Sequence, residues 1–403
     1  MATDLLSTNV SERRQLQPAD VIVIGGSCRD ADDVQHVAAA TRDALTSVRA
    51  LLVHPDTIVA GADGSPAVAL LPYRLAAPQR LPLVATAGRD LFTPIADIVE
   101  RTGARACAVI GAAPESIAPS MFRALVPPVV EEGLDLVLPC YARHRLDGLI
   151  NSAIVTPLTG ALYGRRVDGQ MGVDFGFSAR FVTAIAADDL ASRERPLWLM
   201  SEALRRDMQI GQAHIAAAPA PAESGQDLST ALAQVLGSLF EDMERHATIW
   251  QRTRTAQPVP TFGQPDPIVE EHRLVDHGAM IESFQLGFRN LQDVWALVLP
   301  PATLIELGRL ARTRPEQFRI GPALWARLVF DFALGHRLRM ISRDHLLRAF
   351  TPVYLAWVAS YVLEVGGSDR AAVAATLQRT RQAFESEKPY LLARWRWPDR
   401  FHP

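Results

Sequence analysis

Asp135-Leu136-Val137-Leu138-Pro139-Cys140-Tyr141-Ala142-Arg143-His144-Arg145-Leu146-Asp147-Gly148-Leu149-Ile150-Asn151-Ser152 is the stretch on which the fold is decided. A short apolar run of strand character ends in a loop crowded with cationic side chains, and a helical stretch follows. Pro157-Leu158-Thr159-Gly160-Ala161-Leu162-Tyr163-Gly164 extends that helix, and Gly172-Val173-Asp174-Phe175-Gly176-Phe177-Ser178 adds a glycine-flanked acidic turn. Charged and aromatic residues at the C-terminal end of a strand stand where open α/β sheets place their ligands.

Upstream, Asp20-Val21-Ile22-Val23-Ile24-Gly25-Gly26 reads as a buried strand closed by two glycines, and helical spacing follows over 30–45. Further apolar runs occur at 50–53, 67–71, 83–85 and 106–110, with helical stretches at 91–103 and 117–132. Short strands alternating with helices describe an α/β domain with a largely parallel sheet. Past the Ala- and Pro-rich connector at 216–225, nearly every segment has helical period: 226–253, 268–297, 300–313, 320–337, 343–364 and 369–396. The expected organisation is a polar tail over 1–18, an α/β domain over 19–225 and a helical domain over 226–403. Six of the seven tryptophans lie beyond the connector.

The chain has 403 residues and a net charge of −3, which argues against a nucleic-acid binder held by a basic face. Lys388 is its one lysine, so 40 of the 41 basic residues are arginine. A P-loop needs a lysine after its glycines, and a Schiff-base enzyme needs a desolvated one. The setting Glu385-Ser386-Glu387-Lys388-Pro389 suggests neither, which excludes P-loop NTPases, kinases with a strand lysine and pyridoxal enzymes. The three cysteines, Cys28, Cys107 and Cys140, are too scattered for a zinc ribbon or redox pair and fit a reducing compartment. The N-terminus lacks the pattern of a signal peptide. The apolar stretch 352–363 is too short to span a bilayer, so the expectation is a soluble, cytoplasmic protein.

The first strand invites a dinucleotide site, but the fingerprint fails. Glycine is needed at the first, third and sixth positions. Counting from Gly25 gives Gly25, Ser27 and Asp30; counting from Gly26 gives Gly26, Cys28 and Ala31. An aspartate at the helix start also opposes a pyrophosphate.

The 134–178 segment resembles bacterial glycosyltransferases of the GT-A fold, in the group related to mannosylglycerate and glucosyl-3-phosphoglycerate synthases. That group has a strand ending in an aromatic-x-Arg segment, an Asp-led helix and a Gly-Gly-acidic turn. The helical half is similar too, around Leu324-Trp325 and Pro352-Val353-Tyr354-Leu355-Ala356-Trp357. The resemblance implies a mixed-sheet nucleotide-sugar domain followed by a helical C-terminal domain. Its activity would be transfer of a hexose from a nucleotide-diphosphate sugar to a small hydroxylated or anionic acceptor. On that resemblance Asp174 would lie near the reacting sugar. Arg143 and Asp147 would lie on the acceptor side, with Arg145, Tyr141 and Asn151 as further substrate contacts. Gly25, Ser27, Arg29, Arg89 and Gly111 would meet the nucleotide.

The resemblance also implies Mg or Mn held by an Asp-x-Asp at a strand end, where it would neutralise the departing diphosphate. Here the matching strand 106–110 leads into Gly111-Ala112-Ala113-Pro114-Glu115, without either aspartate. The family histidine after the late strand falls on the 216–222 connector, with His214 just before it. The acidic residue expected ahead of a tryptophan falls on Arg195-Pro196-Leu197-Trp198. No metal or other cofactor is therefore expected, and arginines would have to hold the diphosphate instead. Simpler roles stand beside these: Asp147 as a helix-start acid, Asp174 as the cap of a glycine turn.

Other constellations are weak. No G-x-S-x-G elbow occurs, and His272 and His277 have the wrong spacing for a zinc helix. His336, Arg337, Arg339, Arg343 and His345 form a basic turn, read as a solvated loop. Trp325, Trp357, Trp395 and Trp397 read as core or interface anchors, which makes a homo-oligomer plausible. Two functional readings result: a transferase working without the usual metal, or a catalytically silent relative serving as a binding or scaffold partner.

Overall fold

The computed structural model describes residues 18–55, 67–73, 89–187, 199–215, 227–265 and 275–398. The tail 1–17, the 83–85 run, Thr86-Ala87-Gly88, the Arg195-Pro196-Leu197-Trp198 segment, the 216–222 connector and His272 lie outside them.

Ten strands are described: β1 (Val21–Gly25), β2 (Ala50–Pro55), β3 (Val68–Tyr73), β4 (Ala106–Ile110), β5 (Leu136–Tyr141), β6 (Arg165–Arg166), β7 (Phe175–Ser178), β8 (Ile210–Ile215), β9 (Gln257–Pro258) and β10 (Thr261–Phe262). Eight form one sheet in the order β10-β8-β5-β7-β4-β1-β2-β3. β7 runs antiparallel between β4 and β5, while the other neighbours in this sheet are parallel. The sheet is therefore mixed, and the antiparallel β7 is one of the elements that apolar runs did not announce. Its four residues include Gly176, where a Cβ would stand 2.4 Å from the Leu125 carbonyl oxygen.

β1 and β4 are buried at every position, as the continuous apolar runs of a covered parallel sheet require. Val21 pairs with Ala50 on one side and Ala106 on the other. After β1 the helix Ala31–Ala44 starts at Asp30, whose side chain accepts the Asp33 N–H and caps it. Val34, Val37, Ala38 and Thr41 form its buried face, the stripe expected from the sequence.

The chain divides into two compact units. The first holds the eight-stranded sheet and comprises 1–142, 169–224 and 259–267. The second is helical and comprises 143–168, 225–258 and 268–403. The connector near 225 is thus one of several places where the chain passes between units. Segment 143–168 belongs to the helical unit because its helix Thr156–Tyr163 is buried along its whole length against helical neighbours.

In the helical unit, Asp227, Asp276, Ser342 and Asp369 each accept a backbone N–H three residues on, starting the helices Leu228–Arg245, His277–Ala296, Arg343–Ala349 and Arg370–Ser386. Trp250, Trp295 and Trp325 are fully buried, and Trp325, Trp357 and Tyr361 stack in series. Trp397 is 77% exposed and is no part of the core.

Three sequence expectations need correction. The apolar stretch at 352–363 sits within a helical run, 343–365, that by length and composition could cross a membrane. Two thirds of its most apolar window is buried inside the helical unit, the signature of a core helix. The basic turn is not simply solvated. His336 is buried with Nδ1 2.9 Å from Glu244, and Arg343 reaches Glu244 and Glu241. Finally, Lys388 does sit in a desolvated setting, 5% exposed, with burial pulling its ammonium down to about 8. Its Nζ donates to the carbonyls of Ala161 at 2.7 Å, Leu162 at 3.3 Å and Thr253 at 2.7 Å. Three acceptors occupy its three donors, so the amine is a structural cation rather than a nucleophile awaiting a carbonyl.

Candidate functional site

In the sheet unit, β1 has β2 on one side and β4 on the other. This is the reversal of strand order beyond whose carboxyl ends open α/β sheets bind ligands. Gly25 ends β1, Ser27 and Arg29 belong to the loop that leaves it, and Gly111 begins the loop that leaves β4. The Ser27 hydroxyl donates to the Ala112 carbonyl at 2.6 Å and ties one loop to the other. A Cβ at Gly25 would stand 2.9 Å from Cys28 Sγ. Burial pushes the Cys28 thiol up to about 12, which makes it inert packing.

Asp174 lies at the centre of this arrangement. Its Oδ1 accepts the backbone N–H groups of Gly111 at 2.9 Å and Ala112 at 3.0 Å, and its Oδ2 accepts the Tyr141 hydroxyl at 2.5 Å. The Tyr141 oxygen in turn accepts the Val173 N–H at 3.1 Å. Asp174 is 0% exposed. Burial raises its carboxyl above the usual range, while the bonds from Tyr141, Ala112 and Gly111 oppose that rise. Glycine is required beside it: a Cβ on Gly172 would fall 2.1 Å from Pro139 Cγ in β5. The acidic turn is thereby pressed onto β5, and Asp174 is directed at the end of β4.

The neighbouring cation is already engaged. Arg29 Nε lies 3.1 Å from Asp33, and its Nη2 lies 3.2 Å from Glu115. Asp33 also accepts the Arg29 backbone N–H at 2.8 Å. Arg29 and Asp33 are four apart, a pairing the sequence could have signalled; Glu115 arrives from the β4 loop and could not be read that way. Arg89 opens the helix Arg89–Thr102, and its side chain is outside the described residues.

The residues present do not fit the divalent ion that the resemblance implied. Such an ion needs carboxylate oxygens with lone pairs to offer. β4 delivers Gly111, Ala112 and Ala113, and the buried Asp174 carboxylate directs three of its four lone pairs at N–H and O–H donors of the chain. Among the described residues, no group of three His, Cys, Asp or Glu is arranged to hold a metal. His214, on β8, lines a cleft of about 400 Å³ with Glu131, Glu132 and Phe262.

Arg143, Arg145, Asp147 and Asn151 belong to the helical unit. Arg145 Nη1 donates to the carbonyls of Val365 at 3.3 Å and Ser368 at 2.6 Å, capping the helix Thr351–Val365. The Tyr361 hydroxyl donates to the Arg145 carbonyl at 3.0 Å. Arg143 lies over Gly148, whose φ is +65° and where a Cβ would stand 2.5 Å from the guanidinium. Asp147 occupies the same tight turn, its N–H donating to the His144 carbonyl at 2.9 Å.

Asn151 opens a π-helical turn, Asn151–Val155, and its Nδ2 donates to the Asp168 carbonyl at 2.6 Å. The Trp325 indole N–H donates to the Ala153 carbonyl inside that turn, at 2.8 Å. Such turns recur at functional sites, and the Asn151 Oδ1 is buried with no partner among the described residues.

No protein-family model matches the chain, and no curated protein does. Solved structures of glucosyl-3-phosphoglycerate synthase from Mycobacterium tuberculosis are similar to it. The complex with phosphoglyceric acid is 16% identical, with a TM-score of 0.31, over 55% of this chain and 78% of that one. The complex with Mn²⁺, UDP-glucose and phosphoglyceric acid is 13% identical, with a TM-score of 0.28, over 56% and 79%. Likeness at this level adds no weight to any residue's role.

Proposed function

We propose that this chain is a GT-A-type glycosyltransferase-like protein without metal-dependent sugar transfer, acting as a binding or scaffold partner. The observation that carries this is the state of Asp174. The carboxylate nearest the end of β4 is fully buried and spends both oxygens on the chain's own donors. A catalytic carboxylate must reach a proton or an ion in the cleft, and the burial and inward bonding of Asp174 support the silent reading. Ser27 donates inward to Ala112, and Arg29 is paired with two carboxylates. Ser27 and Arg29, two of the residues that the resemblance places at the nucleotide, thus have partners within the chain.

The second reading keeps transfer of a hexose from a nucleotide-diphosphate sugar to a small acceptor, with arginines in place of the metal. It is favoured by Arg143, held over Gly148 in the loop that resembles the family's acceptor side. A turnover assay separates the two. UDP- and GDP-hexoses are incubated with phosphorylated and hydroxylated three-carbon acids, with Mn²⁺ or with EDTA. Release of nucleotide at the uncatalysed rate in every mixture is expected. Acceptor-dependent release that survives EDTA and disappears in Arg143→Ala would establish the second reading and overturn the first.

A further inference from the structure

The cleft of about 400 Å³ at His214 lies wholly within the sheet unit. One wall is the helical run of Pro119–Leu125 and Pro127–Val130, and the other is the sheet edge at β8 and β10. Ser120, Arg123, Ala124, Pro127, Pro128 and Glu131 line it from the run, a spacing of three and four that places them on one helical face. The volume is that of a small-molecule site.

The two ends of the cleft carry opposite charge. β4, β5 and β8 run in the same direction, and the helical run leads from the carboxyl end of β4 to the amino end of β5. Ser120 and Arg123 therefore stand at the end where His214 closes β8, and Glu131 and Glu132 stand at the other. Arg123 and Glu131 are separated by about 12 Å along a helix axis. The chain neutralises neither end. Arg123 Nη1 donates to the Asp43 carbonyl at 3.1 Å, a neutral acceptor. No cation among the described residues pairs with Glu131 or Glu132.

We propose that this cleft binds a short zwitterionic peptide, its carboxylate against Arg123 and Ser120 and its ammonium against Glu131 and Glu132. A ligand of one charge sign would match one end and be repelled at the other. Pro127, Pro128 and Phe262 lie between the charged ends and offer apolar surface to a middle side chain. β10 is the last strand of the sheet, and its Thr261 is exposed, so the edge is open to an extended main chain. Three extended residues span roughly 10 Å, which suits the separation of the charges.

The inference does not depend on the reading of Asp174, because β8 is three strand spacings from β4, roughly 14 Å. Calorimetric titration of the full chain tests it with the tripeptide Ala-Phe-Ala, its N-acetyl form and its C-terminal amide. Each is added up to about 10 mM, which covers dissociation constants in the millimolar range. Saturable binding of the free tripeptide is expected, weakened at least tenfold by either cap. Arg123→Gln should erase the difference between the free carboxylate and the amide. Glu131→Gln combined with Glu132→Gln should erase the difference between the free and the acetylated amine. All three side chains are exposed, so the fold is retained. Absence of saturable binding, equal binding of the three peptides, or cap effects indifferent to the substitutions overturns the proposal.

Discussion

Lys388→Met is expected to destabilise the protein by about 2–4 kcal/mol, the cost of leaving buried carbonyl oxygens without a donor. Ala161 and Leu162 are in the last turn of the helix Thr156–Tyr163, where no further N–H follows to accept from. Their carbonyls, with that of Thr253, converge on the Lys388 ammonium. Methionine matches the length of the stem and offers no proton. Lys388→Arg should cost nearly as much, because a planar fork cannot aim three N–H bonds from one nitrogen and the extra volume must be accommodated. Denaturant melts of both variants measure this. A loss below about 0.5 kcal/mol, the range of ordinary surface substitutions, would show that the three carbonyls find other donors. In a chain where 40 of 41 basic residues are arginine, the lysine stands where only an ammonium fits.

The second large effect is expected at Asp331 and Arg394, which are 1% and 2% exposed, with Nε 2.8 Å from Oδ1. The Tyr390 hydroxyl sits 2.9 Å from both carboxylate oxygens. Arg394→Met leaves a buried carboxylate without its cation and should cost about 3–5 kcal/mol. Pairing it with Asp331→Leu should cost less than Arg394→Met alone, since burying two charges together is itself expensive.

The pH dependence has a defined sign. Burial raises Asp331 to about 7, against the pull of Arg394 and Tyr390. A folded value above the unfolded one of about 3.9 means that the fold binds this proton more tightly. The contribution of Asp331 is therefore fully present below about pH 4 and is lost as the pH climbs towards 7. Without Arg394 the carboxyl stays protonated to still higher pH, so the penalty of Arg394→Met should be smaller at pH 5 than at pH 8. Equal penalties at the two values would contradict this.

Much of the fold is legible as pattern. Runs such as 21–25 and 106–110 are apolar at nearly every position because both faces of the central strands are covered. The helical half declares itself through period and through aspartates at its N-caps. What stays hidden depends on partners distant in sequence. β7 is short, and its direction is set by insertion between β4 and β5. Arg145 and Lys388 look like surface cations until the helix ends they cap are brought to them. Asp174 was legible as an important acid in a glycine turn. Its two meanings, a group facing ligand or a group facing the backbone, are chemically distinct but identical in sequence. The bonds from Gly111, Ala112 and Tyr141, on which the proposed reading rests, come from partners distant in sequence.

The central claim is that the β4 end no longer works through a metal, and calorimetric titration with UDP- and GDP-sugars, in the presence and absence of Mn²⁺, tests it most directly. Heats unchanged by Mn²⁺ are the expected result, because Asp174 is buried with three of its four lone pairs directed at Gly111, Ala112 and Tyr141, and Gly111, Ala112 and Ala113 have no carboxylate. Nucleotide-sugar binding that appears or tightens tenfold or more on adding Mn²⁺ would contradict it.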